Sequence, residues 1–297
     1  MDERSPGLPV SLLRCARLAM HLAYAALLAM FYPHFNRDRQ RRILKEWSRQ
    51  LLDILDIGLR IETIGGLAGG QQPTRGNNGC LIVANHVSWL DIFVLNAIYP
   101  ARFIAKAEVR NWPFIGWLCK RSGTIFIERA MRQNAASVNR HIGSLFEQGV
   151  CVGLFPEGTT TDGKQVGHFH SALIQPAIDA GVTLCPIALH YQSVNGKPGN
   201  AAAFTGDMTL PGSIWRILRS PRFDALLALP PALPTAGTNR RVLARAAQEA
   251  VAQGLQKVAS VRQASSQEET PAIHHASFPT QSVYALLVDH DPRQLPK

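Results

Sequence analysis

The amino-acid sequence predicts an α/β fold: a mixed, partly parallel sheet flanked by helices, with an N-terminal membrane-anchoring helical segment. Three observations carry that expectation. From residue 79 onward, short apolar runs alternate with helical patterns, as strands joined by crossover helices do. Between Arg17 and Arg37 the chain carries no Lys, Arg, Asp or Glu. Nine Lys and Arg against four Asp and Glu precede residue 50, leaving +5, half of the +10 carried by all 297 residues. With 46% hydrophobic and 18% charged residues, a disordered chain, a collagen-like chain and a polytopic membrane protein are excluded. The charge excess by itself fits any polyanion.

The N-terminal region comes first. Leu18 to Tyr32 is dominated by Ala, Leu, Met and aromatics. As a helix these residues span about 22 Å, short of the ~30 Å hydrocarbon core, so a marginal span or a half-inserted anchor is expected. A secretory signal fits less well, because arginines follow the run where a small-residue cleavage site belongs. Over residues 40–59, Ile43, Leu44, Trp47, Leu51, Ile54, Leu55 and Gly58 recur at helical spacing, with Arg41, Arg42, Lys45 and Arg49 on or beside the opposite face. A basic amphipathic helix of this kind suits an anionic lipid surface; packing on the folded domain is the competing reading. The expected organisation is an anchor with this helix over 1–60, an α/β domain over 61–258 and a flexible tail over 259–297.

Within the domain, Cys80–Ala84, Arg102–Ala105, Thr124–Ile127, Cys151–Phe155, Thr183–Leu189 and Phe223–Leu229 read as strands. Ser88–Ile98, Gln133–Gln148, Ser171–Ala180 and Arg240–Val258 read as helices. Beyond Ala259 the chain is rich in Ser, Gln, Pro and His without apolar periodicity. The five cysteines are an odd, widely spaced set without a C-x-x-C pair, which argues against a disulfide framework or zinc ribbon and for buried filler. No P-loop, dinucleotide fingerprint or nucleic-acid motif occurs.

Ligand sites in open α/β sheets lie beyond the carboxyl ends of the strands, and three polar blocks fall there. Asn85-His86-Val87-Ser88-Trp89-Leu90-Asp91 follows the first strand. Histidine takes a proton near neutral pH, and a carboxylate on its other ring nitrogen fixes the tautomer. That geometry requires His86 to precede the helix and Asp91 to sit in its first turn. Ser88-x-x-Asp91 also reads as a capping-box-like helix start with no chemistry. Gly123 to Arg129 is a strand ending in an acid and a guanidinium, the latter matched to phosphate or carboxylate or simply paired with Glu128 or Glu108. Phe155-Pro156-Glu157-Gly158-Thr159 is a tight turn presenting the Glu157 carboxylate, or a turn and nothing more.

Taken together, and with Leu184-Cys185-Pro186-Ile187 as a fourth block and Lys106-x-Glu108 before Pro113 and Gly116, the sequence resembles the glycerolipid acyltransferase family, which includes the 1-acyl-glycerol-3-phosphate acyltransferases. The resemblance covers roughly residues 40–230. It implies a membrane-associated O-acyltransferase of phospholipid biosynthesis that moves an acyl chain from acyl-CoA or acyl-carrier protein to the free hydroxyl of 1-acyl-glycerol-3-phosphate, forming phosphatidic acid. His86 would be the base and Asp91 its orienting partner; Arg129 would hold phosphate, with Lys106 assisting. Glu157, Gly158 and Thr159 would shape the acceptor pocket. No cofactor or metal is implied. The partners are the lysophospholipid, the acyl donor and an anionic membrane surface, not nucleic acid. The location implied is the membrane, with the catalytic domain on the cytoplasmic side, the inner membrane if bacterial. One departure concerns the acceptor. Many family members carry Phe-Lys after the third block, whereas this chain reads Phe169-His170, so another lysolipid such as lyso-ornithine lipid is the alternative. A hydrolase using Ser88 with His86 lacks a nucleophile-elbow context; a non-catalytic membrane or nucleic-acid binding protein is the remote alternative.

Overall fold

A computed structural model of the chain describes residues 6–63, 79–127, 135–193 and 201–265, the last five of them and Ala135 by backbone alone. Seven strands are described: β1 Ile57–Thr63, β2 Leu81–Ala84, β3 Arg102–Lys106, β4 Ile125–Ile127, β5 Val152–Leu154, β6 Leu184–Ser193 and β7 Phe223–Leu229. They form one sheet in the order β1-β7-β6-β2-β5-β3-β4. Neighbours from β6 to β4 pair in parallel; β7 runs antiparallel to β6, and β1 parallel to β7. The mixed, partly parallel sheet expected from the sequence is therefore present. The parallel strands β2, β3, β4 and β5 all deliver their carboxyl ends to one edge.

Among the described residues eight α-helices surround the sheet: α1 Leu8–Phe31, α2 Arg37–Ile54, α3 Asp91–Asn96, α4 Ile115–Arg121, α5 Ala135–Glu147, α6 Gln175–Asp179, α7 Leu210–Leu218 and α8 Arg240–Ser265. Alternate residues of β2 explain why its sequence is apolar without a break. Ile82 and Ala84 join a core with Leu18, Leu51, Val94 and Ile217 from α1, α2, α3 and α7. Leu81 and Val83 join a second core with Ile142, Ala177 and Val251 from α5, α6 and α8. A strand buried on both faces needs apolar side chains on both.

The N-terminal elements depart from expectation. Helix α1 begins at Leu8, ten residues before the charge-free run, with Pro9 in its first turn. Arg14 does not stop it, because its guanidinium turns inward to Asp56 and to the carbonyls of Leu218 and Ser220. The amphipathic helix covers Arg37–Ile54 rather than 40–59; the Asn36 side chain caps it by accepting from the Arg39 amide at 2.9 Å. It ends where Asp56 takes a φ of 58°, and Ile57 to Thr63 then pair along β7 as a strand the sequence reading missed. The boundary drawn at residue 60 falls inside that strand. The apolar face of α2, expected at a lipid surface, is instead inside the protein: Leu51, Leu52, Ile54 and Leu55 are buried in the first core. Helices α4 and α7 were also missed, and α8 runs to Ser265, into the stretch read as tail. Residues 266–297 lie outside the described residues. No disulfide joins any of the five cysteines, and Cys80, Cys151 and Cys185 are buried as expected of filler.

Helix α1 is two-faced in an unusual way. Leu18, Ala25 and Ala29 face the protein, while Leu12, Leu13, Met20, Leu27, Met30 and Phe31 remain exposed. Over Leu8–His34 only 17% of the most apolar window is buried, although length and hydropathy would allow a membrane span. The two faces predict opposite mutational outcomes. Leu51→Ala in α2 or Leu55→Ala just past its end should lower the unfolding free energy by about 2–5 kcal/mol, whereas Leu27→Ala on the free face of α1 should change it by less than about 0.5 kcal/mol. Denaturant titration of the three variants checks this.

Candidate active site

Strand β2 ends at Ala84, and the next two residues turn the chain across the carboxyl edge of the sheet. Asn85 is fully buried and uses its whole amide: Nδ2 donates to the Leu189 carbonyl and Oδ1 accepts from the Leu189 amide, both at 2.8 Å. It pins the strand end to β6, which fixes where His86 starts. His86 precedes α3 and Asp91 opens it, the arrangement that the five-residue spacing required.

The Asp91 carboxylate is the most heavily bonded side chain at this edge. His86 Nδ1 lies 2.8 Å from Oδ2, which also accepts from the amides of Val87 at 2.7 Å and Ser88 at 3.0 Å. Oδ1 accepts from the Tyr191 hydroxyl at 2.8 Å. Asp91 is fully buried and His86 keeps 19% of its side chain exposed. With Nδ1–H donated to a carboxylate, the imidazole carries its lone pair on Nε2, which has no partner among the described residues. Such a ring can take a proton from a hydroxyl brought to it. Half of the capping-box pattern is present: the Asp91 carboxylate accepts from the Ser88 amide, while the Ser88 hydroxyl makes no return bond. Ser88 Oγ is buried and has no hydrogen-bond partner among the described residues, so the Ser88–His86 pair of the hydrolase reading does not form.

The imidazole rests on a stack. Its ring lies 4.0 Å from that of Phe155, nearly parallel at 7°, and Phe155 stacks on Phe103 at 5.4 Å. Phe103 in turn lies across Gly153, where a Cβ would come within 2.4 Å of the ring. Glycine at that point of β5 is what lets the stack sit flat on the strand. The third block packs against the first from the same side. Thr161 donates to the His86 carbonyl from its amide at 2.8 Å and from its hydroxyl at 3.2 Å. The turn closes with the Gly158 amide donating to the Phe155 carbonyl at 3.0 Å, and Gly158 has a φ of 70°, a conformation glycine adopts without strain.

Glu157 is buried and its Oε1 accepts from the His86 amide at 3.3 Å. Its Oε2 has no hydrogen-bond partner among the described residues. Burial pushes this carboxyl up to about 7, outweighing the His86 amide and ring, which favour the charged form. The structure thus brings His86, Asp91 and Glu157 together. Thr159 is exposed on the loop beyond. Lys106 ends β3, exposed, two strands and so about 10 Å across the sheet from β2. Arg129 lies outside the described residues; β4, which leads to it, ends at Ile127 opposite Lys106. His170 is exposed, and its amide donates to the Pro156 carbonyl at 3.0 Å. The residue that sequence reasoning missed is Tyr191. It stands 100 positions after Asp91 on β6, and no local pattern links the two.

The family model described as Acyltransferase matches residues 68–190 of the chain. The lyso-ornithine lipid O-acyltransferase of Pseudomonas aeruginosa is 36% identical over 247 residues, covering 81% of this chain and 91% of that protein. The 1-acyl-sn-glycerol-3-phosphate acyltransferase of Neisseria meningitidis is 38% identical over 181 residues, 61% of this chain and 68% of that protein. Among solved structures, the 1-acyl-sn-glycerophosphate acyltransferase PlsC of Thermotoga maritima has the same fold, with a TM-score of 0.62 at 20% identity over 86% of this chain and 96% of that one. The chain belongs to the acyltransferase family, and it is an acyltransferase with the sheet architecture of that fold.

Two outcomes follow from the burial of these carboxyls. An unfolded glutamate loses its proton near 4.5, whereas the folded Glu157 keeps it to about 7. The folded state therefore binds more protons across that window, and its stability falls as pH rises through it. Glu157→Gln should remove this fall, so the wild type loses at most about 3 kcal/mol relative to the variant between pH 4.5 and 7, read from denaturant titrations at each pH. Tyr191→Phe leaves Asp91 Oδ1 buried and unpaired, which should cost about 1–3 kcal/mol of unfolding free energy at pH 7.

Proposed function

We propose that the protein is a membrane-associated O-acyltransferase that esterifies the free hydroxyl of 1-acyl-glycerol-3-phosphate with an acyl chain from acyl-CoA or acyl-carrier protein. The observation that carries this reading is the His86 Nδ1 to Asp91 Oδ2 contact of 2.8 Å, with the carboxylate fully buried and the opposite ring nitrogen free at the carboxyl edge of the sheet. His86 Nε2 takes the proton of the acceptor hydroxyl as its oxygen attacks the thioester carbonyl, and Asp91 stabilises the imidazolium that forms. The ester C–O bond forms, the C–S bond breaks, and the proton passes to the departing thiolate. A thioester is already activated, so no acyl-enzyme is needed.

The cations at neighbouring strand ends support the phosphate-bearing acceptor. Lys106 ends β3, Arg129 comes two residues after β4 in the sequence, and guanidinium and ammonium groups both suit a phosphate monoester. Glu157, Gly158 and Thr159 border the acceptor on the other side. Membrane association rests on the exposed apolar face of α1. Because its other face packs into the core, α1 lies along the enzyme and meets the bilayer as an in-plane helix. The catalytic domain then works from the cytoplasmic side, where acyl donors are made soluble by their carriers.

A second reading, lyso-ornithine lipid as acceptor, is favoured by one observation. An exposed His170 stands where many family members carry a lysine, and the Pseudomonas aeruginosa relative that matches 81% of this chain bears that name. Without the ammonium of a lysine, the case for a dianionic headgroup at that point is weaker. A screen of purified enzyme with acyl-CoA against lysophosphatidate, lyso-ornithine lipid and glycerol-3-phosphate decides between them. Lysophosphatidate should be the best acceptor, and Arg129→Ala should raise its KM at least tenfold. Preferred turnover of lyso-ornithine lipid would select the second reading. With any acceptor, His86→Ala should lower kcat by about 10²–10⁴ without loss of folded protein; unchanged turnover would remove His86 as the base.

A further inference from the structure

A cleft of about 580 Å³ opens at the edge of the sheet opposite the reaction centre. Tyr32, at the end of α1, lines one wall. Arg102, at the start of β3, and Gly123, just before β4, form the floor. Trp117, Lys120 and Arg121 of α4 close the other side. Lys106 at the far end of β3 belongs to the reaction edge, so the two regions are separated by the length of that strand, about 15 Å.

Three cations converge on this cleft, and among the described residues none of them is within ion-pair distance of a carboxylate. Like charges gathered without an acid repel one another and favour an anion. The C-terminal turn of a helix attracts cations in any case, which accounts for Lys120 and Arg121 but not for Arg102, which comes from a different element. The Arg102 side chain packs against Gly123, where φ is +83° and a Cβ would meet Nε at 2.8 Å. Glycine therefore serves two needs at once, the turn and the space for that side chain.

What surrounds the cleft identifies the source of the anion. Trp117 stacks with Phe114 at 6.5 Å, and Trp112, Phe114 and Trp117 are all exposed. Arg121 lies over the Trp117 ring at 6.0 Å. On the other wall, Tyr32 directly follows the exposed Met30 and Phe31 of α1. Aromatic and basic side chains mixed at the end of an apolar helix face belong at the headgroup level of a bilayer. We propose that this cleft binds the phosphate of an anionic membrane phospholipid, a site separate from the reaction centre that seats the enzyme on acidic membrane. This rests on the reading that the enzyme works at a membrane surface.

The test is flotation of the purified full-length protein with vesicles of phosphatidylcholine alone or with added phosphatidylglycerol. The wild type should favour the anionic vesicles, and an Arg102→Gln/Lys120→Gln/Arg121→Gln variant should lose roughly ten- to a hundredfold in partition onto them. Its partition onto neutral vesicles and its turnover in detergent micelles should stay within twofold. If the triple variant melts early, the exposed pair Lys120→Gln/Arg121→Gln should still lose about fivefold or more. Equal wild-type binding to both vesicles, or a preference that survives the substitutions, overturns the site while leaving membrane association intact. Failure of the wild type to float with either vesicle removes the membrane reading itself. A raised KM for acyl-CoA in micelles also overturns the proposal, assigning the cations to the phosphates of the donor.

Discussion

A carboxylate with no access to water is costly unless it is well paired, and Asp91 accepts from four donors that reach it from three directions. Two amides come from the residues just before α3, one imidazole from the end of β2 and one phenol from β6. The bonds to the amides set the first turn of α3. The bond to Tyr191 joins that turn to the next strand of the sheet. The bond to His86 selects the tautomer and the ring orientation. A single buried charge thus sets a helix start, a strand contact and a histidine at once. The pieces cannot move independently, which is the preorganisation that a general base requires.

The histidine is held from below as well as from the side. Gly153, Phe103 and Phe155 make a layered support under its ring, built on two neighbouring parallel strands whose register is fixed by the sheet. Asn85 fixes the strand end above it through both atoms of its amide. These contacts carry no chemistry, yet they fix the position of Nε2. The same edge of the sheet also leaves Glu157 with a carboxyl pushed up to about 7 by burial, so it keeps its proton well above the usual carboxylate range and in that form can donate as well as accept.

How much of this could be read from the sequence depends on whether the signal was local. The strands β2 to β6 stood out because burial on both faces makes short unbroken apolar runs, and His86 and Asp91 stood out because one turn of chain carries both. Strand β1 did not, because Ile54 and Leu55 continue the helical rhythm of α2 up to the point where Asp56 breaks it with a positive φ. The N-terminal half of α1 was hidden by Arg14, whose charge suggests an exposed end until Asp56 and two carbonyls are found around it. Tyr191 was illegible for a different reason: it is one buried aromatic in an apolar strand, and only the pairing of β6 with β2 brings it to Asp91. The role of Phe103 over Gly153 is likewise a product of sheet register, which no short motif encodes.

The distribution of arginines changes meaning once the fold is known. Half of the charge excess lies before residue 50, and by itself that suggests a region devoted to acidic lipid. In the structure several of these side chains work inside the protein: Arg14 reaches Asp56, Arg37 and Arg41 reach the carbonyls of Gln148 and Gly149, and Arg49 reaches the Ala97 carbonyl. They tie the helical hairpin of α1 and α2 across one face of the sheet, using guanidiniums to occupy the carbonyls at helix and strand ends. The hairpin is therefore a structural layer of the enzyme as well as its apolar outer face. Removing α1 would uncover Leu51 and Leu52 of α2 and the core beneath them, so the exposed apolar face of α1 cannot be separated from the packing that folds the domain. That coupling holds His86 and the carboxyl edge of the sheet at a fixed distance from the apolar face of α1; on the proposed reading of that face as the membrane contact, a lysolipid whose acyl chain stays in the bilayer presents its hydroxyl to His86 without leaving the membrane.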